Sequence, residues 1–206
     1  TRAKGLRVER KHNLEIRRVG WFGYNWFNLL EHYPLIELTY LFPPFFFYAL
    51  LFMLINAKGI NVVHTHGTVA SLVGKLLKLI FKARYIATVH TTYHLEKKPI
   101  LGRIFTWILS SYDQVLFVSE GIKKEFMRFG LDERKVRVFT YWANKERFKP
   151  MDKFTCKNML DWDRNFTVLF VGRLVKEKGA FVLVEAAKKI KENVRFAFIT
   201  SGSEEE

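Results

Sequence analysis

The hydrophobic positions of the chain alternate between short runs that fit β-strands and longer segments with helical spacing. Apolar and β-branched runs predict strands at residues 14–19, 36–40, 60–64, 84–89, 114–118, 136–139, 166–171 and 194–199. Apolar residues at intervals of three or four predict helices at residues 69–81, 100–109, 120–129 and 180–190. Strands separated by helices of this length favour parallel βαβ units. The predicted class is therefore α/β, a Rossmann-like parallel sheet with flanking helices that binds ligands at the carboxyl ends of its strands.

Residues 38–57 form a run of twenty residues without a charge, which is about the length needed to cross a bilayer. Pro43 and Pro44 interrupt the run and predict a helix of only about twelve residues after them. Three interpretations stay open: a core helix, a helix with one face on a membrane surface or a partner, and a transmembrane helix. The second is supported by nearby basic residues and by the aromatic residues Trp21, Phe22, Tyr24, Trp26 and Phe27.

Basic charge is concentrated in the first part of the chain. Residues 1–150 contain 24 basic and 11 acidic residues, whereas residues 151–206 contain 10 and 9, and the net charge of the whole chain is +14. Such an excess attracts the phosphates of nucleic acids, nucleotides or anionic lipids, or it serves only to keep the surface soluble. The change in charge and Pro150 predict a domain boundary. Residues 1–150 would form a first α/β domain, and residues 151–206 a linker and the first βαβ unit of a second, incomplete one.

Composition limits the class of protein further. The chain is 49% hydrophobic, which is enough to fill a core and excludes a wholly disordered or collagen-like chain. The one cysteine, Cys156, cannot form an internal disulfide or a four-cysteine zinc site, and it favours a reducing, cytoplasmic compartment. The N-terminus has neither an apolar signal core nor an initiator Met, so we expect a chain that is processed or cut from a longer one.

Several common catalytic motifs do not occur in the sequence. Gly67 and Gly74-Lys75 resemble a phosphate-binding loop, but the gap between the glycines is too long, and Leu76 stands where that loop needs Ser or Thr. The patterns GxGxxG, GxSxG and HExxH are also missing. These observations argue against the corresponding nucleotide-binding, hydrolase and metalloprotease sites.

Four of the six histidines follow two neighbouring predicted strands. His64 and His66 lie at the end of one strand, and His90 and His94 follow the next, so parallel strands would bring both pairs to one edge of the sheet. Three roles stay open: metal ligands, capping or core residues, and polar contacts to a substrate. Neither pair encloses an Asp or Glu. A neutral imidazole both donates and accepts hydrogen bonds, which suits sugar hydroxyls.

A basic turn lies between the strand at residues 166–171 and the helix at residues 180–190. Gly172 allows the backbone to turn closely, Arg173 offers two parallel donors to a phosphate, and Lys178 adds a point charge. The N-terminus of the following helix supplies free amides and a partial positive charge. The turn therefore predicts a diphosphate site, and its alternative is a pair of solvated surface cations.

Taken together, these motifs resemble those of family 4 glycosyltransferases, which have the GT-B fold. FVGRLVKEKG at residues 170–179 is similar to the GRL-x-x-EKG signature of the family, and NVVHTHG at residues 61–67 is similar to its D-V-V-H-x-H-G. ATVH at residues 87–90 and VLFVS at residues 115–119 resemble two further strand ends of the family. The resemblance covers residues 60–202.

The chain departs from the family pattern at several positions. Asn61 replaces the usual Asp, Tyr141 and Trp142 stand where the family usually has Asn-Gly, and Asn144 stands where it has Asp. The family's first strand and glycine-rich loop are not visible after Thr1, and its paired glutamates for ribose and sugar are missing. We therefore expect a fragment or a truncated product with little activity by itself.

The resemblance implies roles for individual residues. Arg173 and Lys178 would neutralise the leaving nucleotide diphosphate, which stabilises charge that grows in the transition state. His90 would contact the transferred sugar near its reacting carbon, and His66 would contact the acceptor. Further substrate contacts are expected at Gly67, Ser119, Gly172 and Gly202.

The implied reaction is a retaining transfer of a sugar from a UDP- or GDP-type nucleotide sugar to a sugar, lipid or polyol acceptor, with no cofactor and no required metal ion. The first domain would hold the acceptor and the second the donor. An acceptor in an anionic membrane would place the protein on the cytoplasmic side, peripheral to the inner membrane face. The alternative is a non-catalytic basic α/β protein that binds nucleic acid, a membrane or a partner transferase. Nucleic acid is disfavoured because the aromatic residues cluster in uncharged runs rather than among basic ones.

Overall fold

The chain forms two compact units that meet in sequence between Trp142 and Ala143, and each is described by itself. The predicted boundary near residue 150 lies close to this division, while the assignment of the units to acceptor and donor stays a prediction. The computed structural model describes residues 8–19, 34–162, 165–174 and 176–200. Outside these residues lie the predicted contributions of Gly202 and of Trp21, Phe22, Tyr24, Trp26 and Phe27.

Unit 1 begins with two short antiparallel strands, β1 (Val8–Lys11) and β2 (Leu14–Arg17). The sequence predicts β2 but not β1, because β1 is rich in charged residues and lacks a clear apolar run. Glutamates pair with basic neighbours across the hairpin: Arg10 donates to Glu15 at 2.8 Å. Main-chain pairing holds the described part of the hairpin together, and these partly exposed ion pairs add to it.

A continuous helix, α1 (Pro34–Asn56), follows the hairpin and corrects two predictions, the strand at residues 36–40 and a helix that starts only after the prolines. Pro43 and Pro44 lie inside α1 and cannot donate main-chain hydrogen bonds. The helix forms despite them because apolar side chains along one side pack against the core of unit 1. By length and composition the segment Thr39–Gly59 could cross a membrane, and only 11% of its most apolar stretch is buried.

A parallel four-stranded sheet forms the centre of unit 1. Its strands, in spatial order, are β3 (Val62–His66), β4 (Arg84–Val89), β5 (Gln114–Phe117) and β6 (Val136–Val138). Successive strands are joined through the helices α2 (Thr68–Lys78), α3 (Pro99–Leu109) and α4 (Glu120–Met127). Because all four strands run in the same direction, their carboxyl ends lie at one edge of the sheet, and we call the residues that directly follow them the rim.

The core of unit 1 lies between this sheet and its helices. Alternate residues of β4 and β5 point into it, and it is completed by side chains of α2, α3 and α4. Its largest fully buried side chains include Tyr85, Tyr112, Phe117 and Phe126. The predicted parallel α/β architecture of the first domain is therefore confirmed.

The described residues of unit 2 form one βαβ unit preceded by a short helix. These elements are α5 (Lys153–Met159), β7 (Phe166–Val171), α6 (Ala180–Ala187) and β8 (Val194–Ile199). The strands β7 and β8 are parallel and form a sheet of two strands among the described residues. Helix α5 lies in the stretch between Pro150 and β7, where the sequence predicts no helix. Asp152 begins it by accepting a hydrogen bond from the Thr155 amide at 2.8 Å, a capping contact that outweighs the polar composition.

Candidate active site

The rim of unit 1 carries histidines because two neighbouring strands end in or next to them. His66 is the last residue of β3, and His90 follows the last residue of β4. Between β3 and α2, Gly67 has φ +81°, a left-handed conformation that favours glycine, and its amide donates to Thr88 O at 3.0 Å. This turn fixes where β3 ends and therefore where His66 lies.

Three of the four predicted histidines form a cluster. Nδ1 of His66 lies 2.9 Å from Nε2 of His90, and their rings stack with centroids 5.2 Å apart. The His64 ring lies 4.3 Å from that of His66, and its Nε2 is 2.7 Å from Thr88 Oγ1. His94 has a left-handed backbone, φ +52°, and has no described contact with the cluster. The predicted convergence is confirmed for three of the four.

Burial and neighbouring imidazoles disfavour positive charge on two of these rings, His64 and His90. The pKa of His64 is lowered by burial and by the nearby His66 and His90, and the pKa of His90 is lowered by burial and by His66. Both rings are therefore neutral at neutral pH. Within the described ranges no three His, Cys, Asp or Glu residues are arranged to hold a metal ion, so the geometry gives no support to the metal interpretation.

Tyr141 joins the cluster, although the sequence singles it out only as a departure from the family pattern. Its hydroxyl is hydrogen-bonded to Nδ1 of His90, and the two rings stack at an interplanar angle of 11°. The Phe139 ring meets that of Tyr141 edge-on, with centroids 5.7 Å apart. The signal that could have revealed Tyr141 is its position after β6, at the same edge of the sheet as the histidines.

Ser119 also lies at this edge of the sheet, between β5 and α4. Its Oγ accepts a hydrogen bond from the Ile122 amide at 3.3 Å and so caps α4. The structure thus gives Ser119 a local structural role, and its predicted contact with substrate stays a prediction.

The basic turn lies in unit 2 after β7. The Gly172 amide donates to Ile199 O at 3.0 Å, and Gly179, with φ +75°, leads into α6. Arg173 and Lys178 are both exposed, and neither forms a hydrogen bond or an ion pair with the residues described here. Their exposure brings both side chains into contact with solvent, where anions are found.

A parallel α/β sheet with flanking helices, followed by a second parallel pair of strands, fits the GT-B fold of glycosyltransferases. The sequence profile of Glycosyltransferase Family 4 matches residues 9–143, and the chain belongs to this family.

Curated relatives are similar to most of this chain but are much longer. An alpha-maltose-1-phosphate synthase of Mycolicibacterium smegmatis is 29% identical over 160 residues, which cover 69% of this chain and 41% of the relative. An uncharacterized glycosyltransferase of Methanocaldococcus jannaschii is 30% identical over 159 residues, which cover 69% of this chain and 40% of the relative. The chain thus spans about two fifths of the length of these relatives.

Solved structures share the fold at low sequence identity. Sucrose-phosphate synthase from Thermosynechococcus elongatus superimposes with a TM-score of 0.73 at 18% identity, over 99% of this chain and 51% of that one. The Anabaena protein HepE, solved with UDP-glucose, gives a TM-score of 0.63 at 16% identity, over 86% of this chain and 50% of that one.

Proposed function

We propose that this chain supplies part of the active site for a retaining transfer of a sugar from a nucleotide-diphosphate sugar to a sugar, lipid or polyol acceptor. The observation that carries the proposal is the hydrogen-bonded pair of imidazoles, His66 and His90, at the rim of a family 4 chain. Neutral imidazoles donate and accept hydrogen bonds without competing for the phosphate, which suits the hydroxyls of a sugar. His90 would contact the transferred sugar, and His66 and Gly67 would contact the acceptor.

The leaving diphosphate would be bound by the basic turn of unit 2. Arg173 can offer two parallel N–H donors and Lys178 a compact charge, and both are exposed and unpaired among the described residues. Negative charge on the diphosphate grows as the glycosidic bond breaks. One preorganised donor at such a position lowers the barrier by about 3–4 kcal/mol. We expect these two cations to act in place of a metal ion.

The donor we propose is a UDP- or GDP-sugar, in line with the UDP-glucose in the Anabaena neighbour. The test is a calorimetric titration of the chain with UDP and with GDP, which measures the dissociation constant of each nucleotide. Arg173→Ala and Lys178→Ala should each weaken binding about tenfold or more, because each removes a charged hydrogen-bond donor. Lys191→Ala, an exposed charge near the end of α6, is the matched control and should bind like the wild type.

Two results would contradict this assignment. Equal losses in Lys191→Ala would mean that only the overall charge attracts the nucleotide. Unchanged binding in both turn variants would remove the turn from the site. If the chain retains an oligonucleotide on a filter, and this binding depends steeply on salt, the alternative of a non-catalytic basic protein would be favoured.

We further propose that the protein works on the cytoplasmic side at an anionic membrane face, where a lipid-linked acceptor would be found. Support comes from a stripe on α1 whose apolar side chains are exposed to solvent. The exposed fractions are 66% for Phe47, 59% for Leu51, 62% for Leu54 and 74% for Ile55. The basic charge of residues 1–150 would add attraction to anionic lipids.

Co-sedimentation with vesicles tests this attachment. The wild type should bind vesicles rich in phosphatidylserine at low salt and bind neutral vesicles less. Leu51→Glu should reduce binding, because it places a charge in the apolar stripe. Ile100→Glu on α3 is the matched control, since Ile100 is 74% exposed outside the stripe. Absence of binding at low salt, or an equal loss in both variants, would refute a membrane role of α1.

A further inference from the structure

Both ring nitrogens of His90 are occupied in the structure. Nδ1 is hydrogen-bonded to the Tyr141 hydroxyl, and Nε2 lies 2.9 Å from Nδ1 of His66. The three side chains therefore form a linear hydrogen-bonded series, Tyr141–His90–His66. A neutral imidazole has one N–H and one acceptor nitrogen, so the direction of each hydrogen bond in the series determines the direction of the next.

Two directions are possible for such a series. In one, the Tyr141 hydroxyl donates to Nδ1 of His90, Nε2–H of His90 donates to Nδ1 of His66, and His66 keeps its hydrogen on Nε2. In the other, every bond is reversed, and Tyr141 turns its hydrogen outward. A phenol is a better donor than a neutral imidazole, and an imidazole nitrogen is a better acceptor than a phenol oxygen. The first direction is therefore favoured.

We propose that Nε2–H of His66 is the hydrogen-bond donor that the rim presents to a sugar hydroxyl, and that Tyr141 and His90 are positioning residues that set its tautomer. Among the described residues, Nε2 of His66 has no hydrogen-bond partner, and His66 is exposed. His90 keeps no free nitrogen for substrate in this arrangement. The proposal rests on the proposed glycosyl transfer and reassigns the direct contact with the sugar from His90 to His66.

The packing around Tyr141 explains how an exposed side chain can hold this series. Tyr141 is 65% exposed, but its ring stacks on His90 and meets the edge of Phe139. These ring contacts orient the hydroxyl towards Nδ1 of His90. Removal of the hydroxyl alone therefore changes the hydrogen-bonded series and leaves the core of unit 1 intact.

The test is 15N NMR of the chain labelled at histidine, with assignments from His→Gln variants. In the wild type at neutral pH, His66 and His90 should both show the pattern of the Nε2–H tautomer, with widely separated Nδ1 and Nε2 resonances. In Tyr141→Phe the Nδ1 and Nε2 resonances of each ring should move closer together, because either histidine can then donate the hydrogen bond between them. Trp142→Phe, at the next and more exposed position, is the matched control and should retain the wild-type pattern.

A second measurement addresses the contact with sugar. Addition of UDP-glucose to the wild type should shift the Nε2 resonance of His66 more than either resonance of His90. An Nδ1–H tautomer of His66 in the wild type, an unchanged pattern in Tyr141→Phe, or a shift confined to His90 would overturn the proposal. The tautomers are measured without any nucleotide. A wrong tautomer therefore contradicts only the proposed series, whereas a loss of nucleotide binding at the basic turn would contradict the proposed function.

Discussion

Gly74 in α2 lies so close to its neighbours that even a methyl group has no room. A Cβ at this position would lie 2.1 Å from the Tyr112 hydroxyl oxygen and 2.7 Å from Thr65 Cγ2. Both neighbours are buried, with exposed fractions of 0% and 7%, so neither can move out into solvent. Overpacking of a core by one methyl group typically costs about 1–3 kcal/mol. Gly74→Ala should therefore destabilise unit 1, although alanine is the better helix former by about 1 kcal/mol.

Displacement of Tyr112 adds a second cost. Its hydroxyl donates to Ser71 O at 2.8 Å and accepts from Thr65 Oγ1 at 3.1 Å. Burial raises the pKa of Tyr112 to about 12, so the hydroxyl keeps its hydrogen at all moderate pH values. A buried polar group that loses its partners costs about 1–3 kcal/mol. With the gain in helix propensity subtracted, we expect Gly74→Ala to lower the free energy of unfolding by about 1–5 kcal/mol.

Urea unfolding followed by circular dichroism measures this loss. The control is Gly59→Ala, since a Cβ at Gly59 would meet nothing within 4 Å. In the Tyr112→Phe background the contact at 2.1 Å disappears, and the closest part of the ring is Cζ at 3.1 Å. The penalty for Gly74→Ala should then shrink by about 1 kcal/mol or more. A loss no larger than that of Gly59→Ala, or an equal loss in both backgrounds, would refute this account of the packing below the rim.

Three further predictions concern titratable groups of unit 1. Glu125→Ala should lower the free energy of unfolding by about 2–3 kcal/mol in urea titrations, because it removes the acceptor of two loop amides, and a neutral result would contradict this. Asp113→Asn should cost about 1 kcal/mol at pH 7. Burial raises the pKa of Asp113, but the Lys78 ammonium and a backbone amide lower it by more, so the net pKa is below its usual value. The cost should therefore vanish as the pH falls below 4 and the carboxylate of the wild type is protonated. The pKa values of His64 and His90 in the folded chain are lowered below the usual 6.5. As the pH falls through 6.5, the unfolded chain therefore binds protons before the folded chain does. The contribution of these histidines to stability is full above pH 6.5 and is lost below it. His64→Gln should flatten the dependence of the melting temperature on pH between 7 and 5, and an unchanged slope would exclude His64 as its source.

The sequence predicted best those elements in which local pattern and tertiary environment agree. Strands β4, β7 and β8 have the predicted bounds, because each is an uninterrupted β-prone run. Helix α1 was mispredicted because the local rule for proline competes with a long apolar surface that packs on the core. Helix α5 was missed because its start depends on a side-chain cap at Asp152 and not on an apolar stripe.

The candidate site was predictable to the extent that it follows from parallel strands. His66 and His90 meet because β3 and β4 are paired in register, with His66 opposite Thr88. The same reasoning places Tyr141 at this edge of the sheet but does not predict its contact with His90, which joins residues 51 positions apart and depends on the path of the chain after β6. Sequence spacing identifies which residues reach an edge of a sheet, but the hydrogen bonds among them depend on side-chain orientation.

The two units provide different chemistry, and this difference gives the proposed reaction its division of roles. Burial and neighbouring histidines lower the pKa of His64 and His90, so these two rings stay neutral and are poorly suited to neutralise a diphosphate. Arg173 and Lys178 are charged, exposed and unpaired in the described part of unit 2, and they suit a diphosphate but cannot accept a hydrogen bond from a sugar hydroxyl. A nucleotide-diphosphate sugar contains both kinds of group. Loss of the cations should therefore weaken nucleotide binding, whereas loss of the Tyr141–His90–His66 series should change how the sugar is held.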